Sequence, residues 1–184
     1  MNQENRIRFT KVREVTTPCR NNANDAGIDF YVPTDLTVEE VANIEANKLS
    51  GIFQGVNLMD TVDGILEYIV LKPNQRILIP SGIKVLIEPE NSMLQANNKS
   101  GISAKHGLIF TAQVVDSPYV GEIHIGITNV STESVTIKAG AKLVQFIHVP
   151  VYLTKLEEIS NSEYHSLAED WGTRGTNGFG SSGE

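Results

Sequence analysis

Apolar and polar residues alternate in short segments along most of the chain, and Gly, Pro, Asn and Ser separate these segments. A period of two is typical of a β-strand with one buried face. The even spacing of the segments favours an antiparallel fold that is closed or double-layered, a jelly roll or a barrel. The sequence therefore predicts an all-β protein. The predicted strands span residues 7–12, 28–32, 76–79, 83–87, 108–115, 122–128, 134–137 and 143–149.

One stretch breaks the alternation and carries a helical signal. Thr37 is followed three residues later by Glu40, which is the capping box of a helix N-terminus. The helical run reaches about Leu49 and ends before Gly51. We interpret residues 36–70 as a small, partly helical insertion in the all-β domain.

The end of the chain differs from both parts. From about residue 160 the alternation is lost and Gly and Ser become frequent, which is typical of a mobile arm. The 184 residues allow one domain with a substantial core and an appended element. The predicted organisation is therefore a core of residues 1–35 and 71–159, the insertion, and a flexible C-terminal arm of residues 160–184.

The charge and cysteine content narrow the function classes. A net charge of -7 opposes sequence-independent binding to nucleic acid, which needs many Lys and Arg residues against phosphates. The single Cys19 cannot form an intrachain disulfide, and no segment approaches the roughly 18 apolar residues of a membrane span. We expect a soluble cytoplasmic protein with no membrane and no direct nucleic-acid partner.

The glycine-rich tail is the first candidate for chemistry. Its glycines leave backbone N–H groups accessible, its serines add hydroxyls, and Arg174 supplies a guanidinium that can grip a phosphate. A disordered Gly/Ser linker is the alternative. Phe179 between two glycines favours a nucleotide site, because a linker has no use for an aromatic ring.

Three further groups combine turn residues with polar side chains. Lys99, Ser100 and Gly101 form a turn-rich stretch that a solvated loop explains equally well, and no Walker pattern is present. Asp116 lies at the end of an apolar strand, and Tyr119 follows three residues later. The Asp116 carboxylate is consistent with a turn cap or with a general base. Asp29 ends a group that begins at residue 25 and is consistent with turn chemistry or with a water-mediated metal contact.

Taken in order, these groups resemble the five motifs of the trimeric dUTPase family. The motifs correspond to residues 25–29, 99–101, 116–122, 140–145 and 174–183. The resemblance implies a jelly-roll subunit, a homotrimer whose neighbouring chains share active sites, and an arm that closes over each site. It implies hydrolysis of dUTP to dUMP and pyrophosphate, which keeps uracil out of DNA and supplies dUMP. A dCTP deaminase of the same fold is the alternative enzyme.

The resemblance also implies a role for each matching residue. Asp116 would be the general base that activates water for in-line attack on the α-phosphorus. Mg²⁺ chelated by the triphosphate would orient the triphosphate, and Asp29 would contact the ion through water. The substrate-binding residues would be Lys99, Ser100, Gly101 and Gln145 at the phosphates, Gln113, Val115 and Tyr119 around the nucleoside, and Arg174, Phe179, Gly180, Ser181 and Ser182 in the arm.

The chain departs from the family pattern at several positions. Lys99 and Lys142 stand where the family usually has Arg, so a bidentate contact becomes a point charge. Asn98 replaces a small residue or Pro, and Gln113 replaces a usual Gly in the uracil hairpin. The insertion resembles the extra segment of staphylococcal phage dUTPases, a subgroup associated with binding a repressor of mobile pathogenicity islands. This implies a second, regulatory function in the host cytoplasm; alternatively, residues 36–70 only brace the trimer or line the site.

Overall fold

The computed structural model of the chain describes residues 4–49, 57–60 and 63–171. The strands in these residues are β1 (Arg6–Lys11), β2 (Ile28–Tyr31), β3 (Asn57–Asp60), β4 (Leu66–Leu71), β5 (Arg76–Glu88), β6 (Ser92–Asn97), β7 (Leu108–Phe110), β8 (Val114–Asp116), β9 (Glu122–Asn129), β10 (Val135–Lys138) and β11 (Lys142–Pro150). The helices are α1 (Val38–Asn43), α2 (Glu45–Leu49), α3 (Ser100–His106) and α4 (Asn161–Asp170).

The strands form antiparallel sheets, which confirms the predicted all-β jelly-roll fold. Two four-stranded sheets have the orders β1-β5-β9-β7 and β2-β11-β6-β8, and a three-stranded sheet has the order β10-β4-β3. Alternate side chains of these strands point inward and bury apolar surface, which stabilises the fold. The largest fully buried side chains include Phe146, Leu36, Leu66, Ile69, Leu71, Ile79, Ile123, Ile125 and Ile127.

Two predicted strand boundaries are wrong. Residues 76–79 and 83–87 belong to one strand, β5, which continues through Pro80. The pairing register with β9 shifts between Pro80 and Lys84, so the missing proline N–H falls at an irregularity in the ladder. Residues 108–115 form two strands instead of one, because β7 pairs with β9 while β8 pairs with β6 in the other sheet.

The helical signal at Thr37 is confirmed. The Glu40 N–H donates to Thr37 Oγ1 at 3.1 Å, and the Thr37 N–H donates to Glu40 Oε2 at 2.9 Å. The predicted run to Leu49 is interrupted at Ile44, whose ψ of 122° is extended, and it therefore divides into α1 and α2. After the insertion's helices, β4 pairs with β10. The limits of the insertion stay a prediction.

Some elements, among them β6 and α4, have too weak a sequence pattern to be predicted. Strand β6 alternates in burial, but Ser92 and Ala96 are small inward residues that give little hydrophobic contrast. A second unit begins at Leu153, and its described part contains α4. The Ser160 side chain caps this helix by accepting from the Glu163 N–H. Among the described residues, no helix is long and apolar enough to cross a membrane.

Candidate active site

Three residues from neighbouring strands form a row across the sheet β2-β11-β6-β8. Gln145 on β11 pairs with Asp29 on β2 and, on its other side, with Asn97 on β6. The chain leaves β6 at Asn97, and Lys99 and Ser100 follow at the start of α3. The sheet therefore brings together the predicted residues Asp29, Lys99, Ser100 and Gln145, which are distant in the sequence.

A buried carboxylate joins two lysines beside this row. Asp29 is 3% exposed, and its two carboxylate oxygens contact different ammonium groups. Lys99 Nζ donates to Oδ1, and Lys142 Nζ lies 2.8 Å from Oδ2. We name Asp29, Lys99 and Lys142 the lysine–aspartate cluster. Its two cations and one anion leave one net positive charge, which suits it to bind phosphate.

The lysines keep Asp29 ionised. Burial of the carboxyl raises its pKa, but the hydrogen bonds and charges of Lys142 and Lys99 outweigh burial, so the pKa of Asp29 lies below its usual value. The hydrogen bond to Asp29 correspondingly raises the pKa of Lys142 above its usual value. The carboxylate of Asp29 and the ammonium group of Lys142 are therefore both charged at neutral pH.

Gln145 is held between two other contacts of the site. Its Nε2 donates to the Asn98 carbonyl oxygen at 3.0 Å. A Cβ at Gly27 would lie 2.3 Å from Gln145 Oε1, so a side chain at residue 27 would displace the Gln145 carboxamide. The Asn98 side chain in turn accepts from the Phe110 N–H at 3.0 Å and connects the start of α3 to β7. Sequence reasoning identified Asn98 as a departure from the family pattern and missed this link.

Ser100 and Gly101 begin α3 on the exposed surface. The Lys99 carbonyl accepts from the N–H groups of Ile102 and Ser103, both at 2.9 Å, which fixes the first turn. Apart from the adjoining residues and the backbone of α3 itself, no atom of the described residues lies within 4 Å of a Cβ built on Gly101. Packing within the described part of the chain therefore does not require glycine at this position, and a ligand could approach its backbone closely.

Asp116 and Tyr119 lie at the end of strand β8. Asp116 is exposed, and the Tyr119 N–H donates to its carbonyl oxygen at 3.1 Å, which closes a turn. The Tyr119 hydroxyl donates to the Glu122 carbonyl at 2.8 Å and leaves the side chain 44% exposed. A Cβ at Gly121 would lie 2.5 Å from that hydroxyl. The turn thus presents a carboxylate and a fixed aromatic ring to solvent.

Strand β8 lies at the edge of its sheet. The Ala96 N–H donates to the Gln113 carbonyl at 2.7 Å. In an antiparallel pair, the backbone groups of every second residue face the partner strand. The backbone groups of Val115 therefore also face β6, while those of Val114 face the open edge of the sheet. The sequence prediction named Gln113 and Val115 and missed Val114, whose side chain is 57% exposed.

The turn at Asp116 is separated from the lysine–aspartate cluster within one chain. Asp116 pairs with Met93 on β6, whereas Gln145 lies opposite Asn97, four residues further along that strand. Four residues of a strand span about 13 Å. One chain therefore presents two groups of predicted site residues at different places on the sheet.

The remaining predictions concern the arm and the metal. Arg174, Phe179, Gly180, Ser181 and Ser182 lie outside the described residues. Among the described residues, no group of three or more His, Cys, Asp and Glu could hold a metal ion. Since both Asp29 oxygens already accept from ammonium groups, Asp29 does not fit a protein-held magnesium site.

Comparison with known proteins identifies the family. The dUTPase family model matches residues 65–183. A deoxyuridine 5'-triphosphate nucleotidohydrolase of Fusobacterium nucleatum is 39% identical over 128 residues, which cover 68% of this chain and 82% of that protein.

Solved structures from staphylococcal phages share the fold. The dUTPase of Staphylococcus bacteriophage 80alpha with dUPNHPP has a TM-score of 0.66 and 21% identity, covering 98% of this chain and 100% of that chain. It is described as one of the phage dUTPases that control transfer of virulence genes by a proto-oncogenic G protein-like mechanism. The dUTPase of phage phi11 of S. aureus, solved to visualise its species-specific insert, has a TM-score of 0.61 and 21% identity over 85% of this chain and 97% of its own. Since the family model covers more than half of the sequence, the chain belongs to the dUTPase family and is a dUTP diphosphatase.

Proposed function

We propose that Asp116 is the general base of dUTP hydrolysis. Its carboxylate is exposed at the end of β8, where a water molecule can approach it. Asp116 removes a proton from that water, whose oxygen forms a bond to the α-phosphorus of dUTP. The bond from the α-phosphorus to the bridging oxygen breaks, and its electron pair leaves with pyrophosphate. The exposed carboxylate beside the fixed Tyr119 ring is the observation that carries this proposal.

The lysine–aspartate cluster and its neighbours hold the phosphates in this proposal. Lys99, Lys142 and Gln145 supply cationic and amide donors, while Gly101 leaves room for a close approach. Ser100 donates to the oxygen between the α- and β-phosphates, where negative charge develops as the bond breaks. The magnesium ion implied by the family resemblance is proposed as part of the substrate, chelated by the triphosphate.

The hairpin of β7 and β8 binds the nucleoside. Tyr119 packs on the deoxyribose and disfavours a ribose 2′-hydroxyl. The backbone between residues 109 and 119 recognises the uracil edge, and Gln113 and Val115 are the predicted binding residues within it. The open edge of β8 supports adding Val114, because its backbone groups face away from β6 and pair with no strand among the described residues.

We propose a homotrimer in which neighbouring chains complete each site. The distance between Asp116 and the lysine–aspartate cluster along β6 supports this arrangement. An exposed apolar patch on the core unit also supports association, because Phe9, Leu86 and Val120 line one surface cavity. The arm of residues 160–184 closes over the site, with Arg174 on the γ-phosphate and Phe179 over uracil. Gly180, Ser181 and Ser182 complete the contact, and the protein acts in the cytoplasm.

Pyrophosphate release tests the reaction and its base. The wild type should release pyrophosphate from dUTP selectively among the nucleoside triphosphates. Asp116→Asn should lower kcat by about 10²-fold or more and keep the fold. An Asp116→Asn protein with full turnover would remove Asp116 from this role. Ammonia release from dCTP would instead indicate the deaminase reaction.

A second, regulatory role is proposed for residues 36–70. The control of virulence-gene transfer attributed to the phage 80alpha dUTPase supports it, and the helices α1 and α2 offer a surface within this segment. The partner would be a repressor protein of a mobile genetic element, bound through or near this segment. Because Val41 is fully buried, whole deletion would damage the core, and exposed residues are the better targets.

Glu39→Lys and Glu45→Lys change exposed charges on α1 and α2. Both should weaken repressor affinity and leave dUTP turnover unchanged. Unchanged affinity in both variants, measured by titration calorimetry with a purified pathogenicity-island repressor, would argue against this surface. Glu133→Lys, an exposed charge reversal in the loop before β10, is the matched control.

A further inference from the structure

We propose that Asp29 is a positioning residue that aims Lys99 and Lys142 as a pair at the substrate phosphates and is not a metal-binding residue. This role rests on the proposed phosphate site, and it replaces the metal contact implied by the family resemblance. The carboxylate lies between the two ammonium groups and accepts from each through a different oxygen. One side chain thus fixes two cations from separate parts of the chain.

Asp29 is rigid enough to act as an anchor. Its backbone N–H donates to the Cys19 carbonyl at 2.8 Å, and its carbonyl accepts from the Cys19 N–H at 3.3 Å. On the other side, β2 pairs with β11 through the opposing residue Gln145. With 3% exposure, the Asp29 side chain has little freedom to rotate. The position of the carboxylate is therefore set by the sheet and not by a ligand.

The lysines need such an anchor. A lysine carries its charge on a flexible four-carbon stem and lacks the planar fork with which arginine orients itself on a phosphate. The side chains of Lys99 and Lys142 are 23% and 35% exposed, so both cations also reach the surface. Each ammonium has three donors and uses one on Asp29, which leaves donors for phosphate oxygens. The anchored lysine pair thereby presents two oriented cations to the phosphates, as two arginines would.

The same contacts leave Asp29 poorly suited to a metal. A carboxylate that reaches magnesium through water must present an accessible lone pair, whereas Asp29 is buried and both of its oxygens have cationic partners. The two ammonium groups would also repel a divalent cation placed beside the carboxylate. The arrangement favours a polyanion over a metal ion at this point.

Affinity for a non-hydrolysable dUTP analogue distinguishes the two roles. We would measure the dissociation constant of dUpNHpp for the wild type and for Asp29→Asn, once with Mg²⁺ and once with EDTA. An asparagine cannot offset the charge of two ammonium groups, so they separate into solvent. The expected result is about a tenfold loss of affinity that is equal in both conditions, as for other residues that orient ligand-binding groups.

Two results would overturn the positioning role. A loss confined to the Mg²⁺ condition would indicate a metal role, and unchanged affinity in both conditions would show that Asp29 does neither. Lys138→Gln, which removes an exposed lysine on β10, is the control for a general change in charge. If the wild type itself does not bind the analogue, the proposed phosphate site fails, and that failure is distinct.

A measurement on the wild type covers the case in which Asp29→Asn does not fold. Magnesium chloride alone is added to nucleotide-free protein while the ¹H–¹³C signals of the Lys99 and Lys142 Cε groups are followed by NMR. Anchoring predicts that both signals stay unchanged at millimolar Mg²⁺. Displacement of both signals would mean that the metal competes for Asp29, which contradicts the proposal.

Discussion

The carboxamide of Asn47 hydrogen-bonds to both backbone groups of Leu78. Asn47 Oδ1 accepts from the Leu78 N–H at 2.8 Å, and Nδ2 donates to the Leu78 carbonyl at 2.9 Å. On its other side, Leu78 pairs with Gly126 on β9. Helix α2 therefore occupies, through one buried side chain, the position that another strand would take beside β5. This contact docks α2 on β5.

Asn47→Ala should lower the free energy of unfolding by about 2 kcal/mol, because it leaves partly buried backbone groups without these bonds. Urea denaturation followed by circular dichroism measures the change. Asn43→Ala, at an exposed position on α1, is the control and should cost much less. Equal losses in the two variants would mean that the Asn47 bonds contribute little to docking.

Gly101→Ala should separate stability from substrate binding. A built Cβ at this position meets no described neighbour within 4 Å, and alanine is the better helix former, so stability should stay equal or rise by up to about 1 kcal/mol. If phosphates approach this backbone, the added methyl group should raise KM for dUTP. Lys105→Ala, near the other end of α3, should leave KM unchanged. A normal KM for Gly101→Ala would place the phosphates elsewhere.

Asn98→Ala should disturb the site without dismantling the fold. It removes the acceptor of the Phe110 N–H and loosens the start of α3 relative to the β7 hairpin. We expect kcat/KM for dUTP to fall about tenfold, because small displacements of positioning groups are costly in catalysis. Asn98→Asp keeps an acceptor and should recover most of this loss. If the Asn98→Ala and Asn98→Asp proteins have the same kcat/KM, loss of the hydrogen bond to Phe110 is not the cause of the decrease.

Stability should depend on His148 between neutral and mildly acidic pH. Burial lowers the pKa of His148 below 6.5, and the charge of Arg20 adds to this shift. The unfolded chain therefore binds this proton at a higher pH than the folded chain. The stabilisation is present above the unfolded pKa and is lost as pH falls through the folded pKa. Relative to His148→Gln, the wild type should lose unfolding free energy on acidification, and parallel pH curves for the two proteins would contradict this.

Helices and strands were predictable where a short sequence pattern has a direct physical cause. The Thr37 capping box places the start of α1 because side-chain and backbone groups within four residues satisfy each other. Alternation likewise predicts β1, β2 and β9. The same local rules missed the break at Ile44, and they divided β5 at Pro80, because proline is tolerated where the partner strand leaves the ladder irregular.

The composition of the site was predictable only through the family resemblance. Spacing alone does not show that Asp29 and Lys99 touch, because their proximity depends on the order of β2, β11 and β6 in the sheet. The contact of Lys142 with the same carboxylate depends on that order too. Strand order is a tertiary property, and no periodicity along the sequence encodes it.

Subunit complementation tests most directly whether neighbouring chains share a dUTP-hydrolysing site. Asp116→Asn and Lys99→Ala are each expected to be nearly inactive, and the two proteins are unfolded together, refolded and assayed for pyrophosphate release from dUTP. If Asp116 and Lys99 of one site come from different chains, random trimers restore about a quarter of the sites and of the wild-type turnover. Turnover that stays at the level of the separate variants, in mixtures shown to contain both chains, would contradict the shared site.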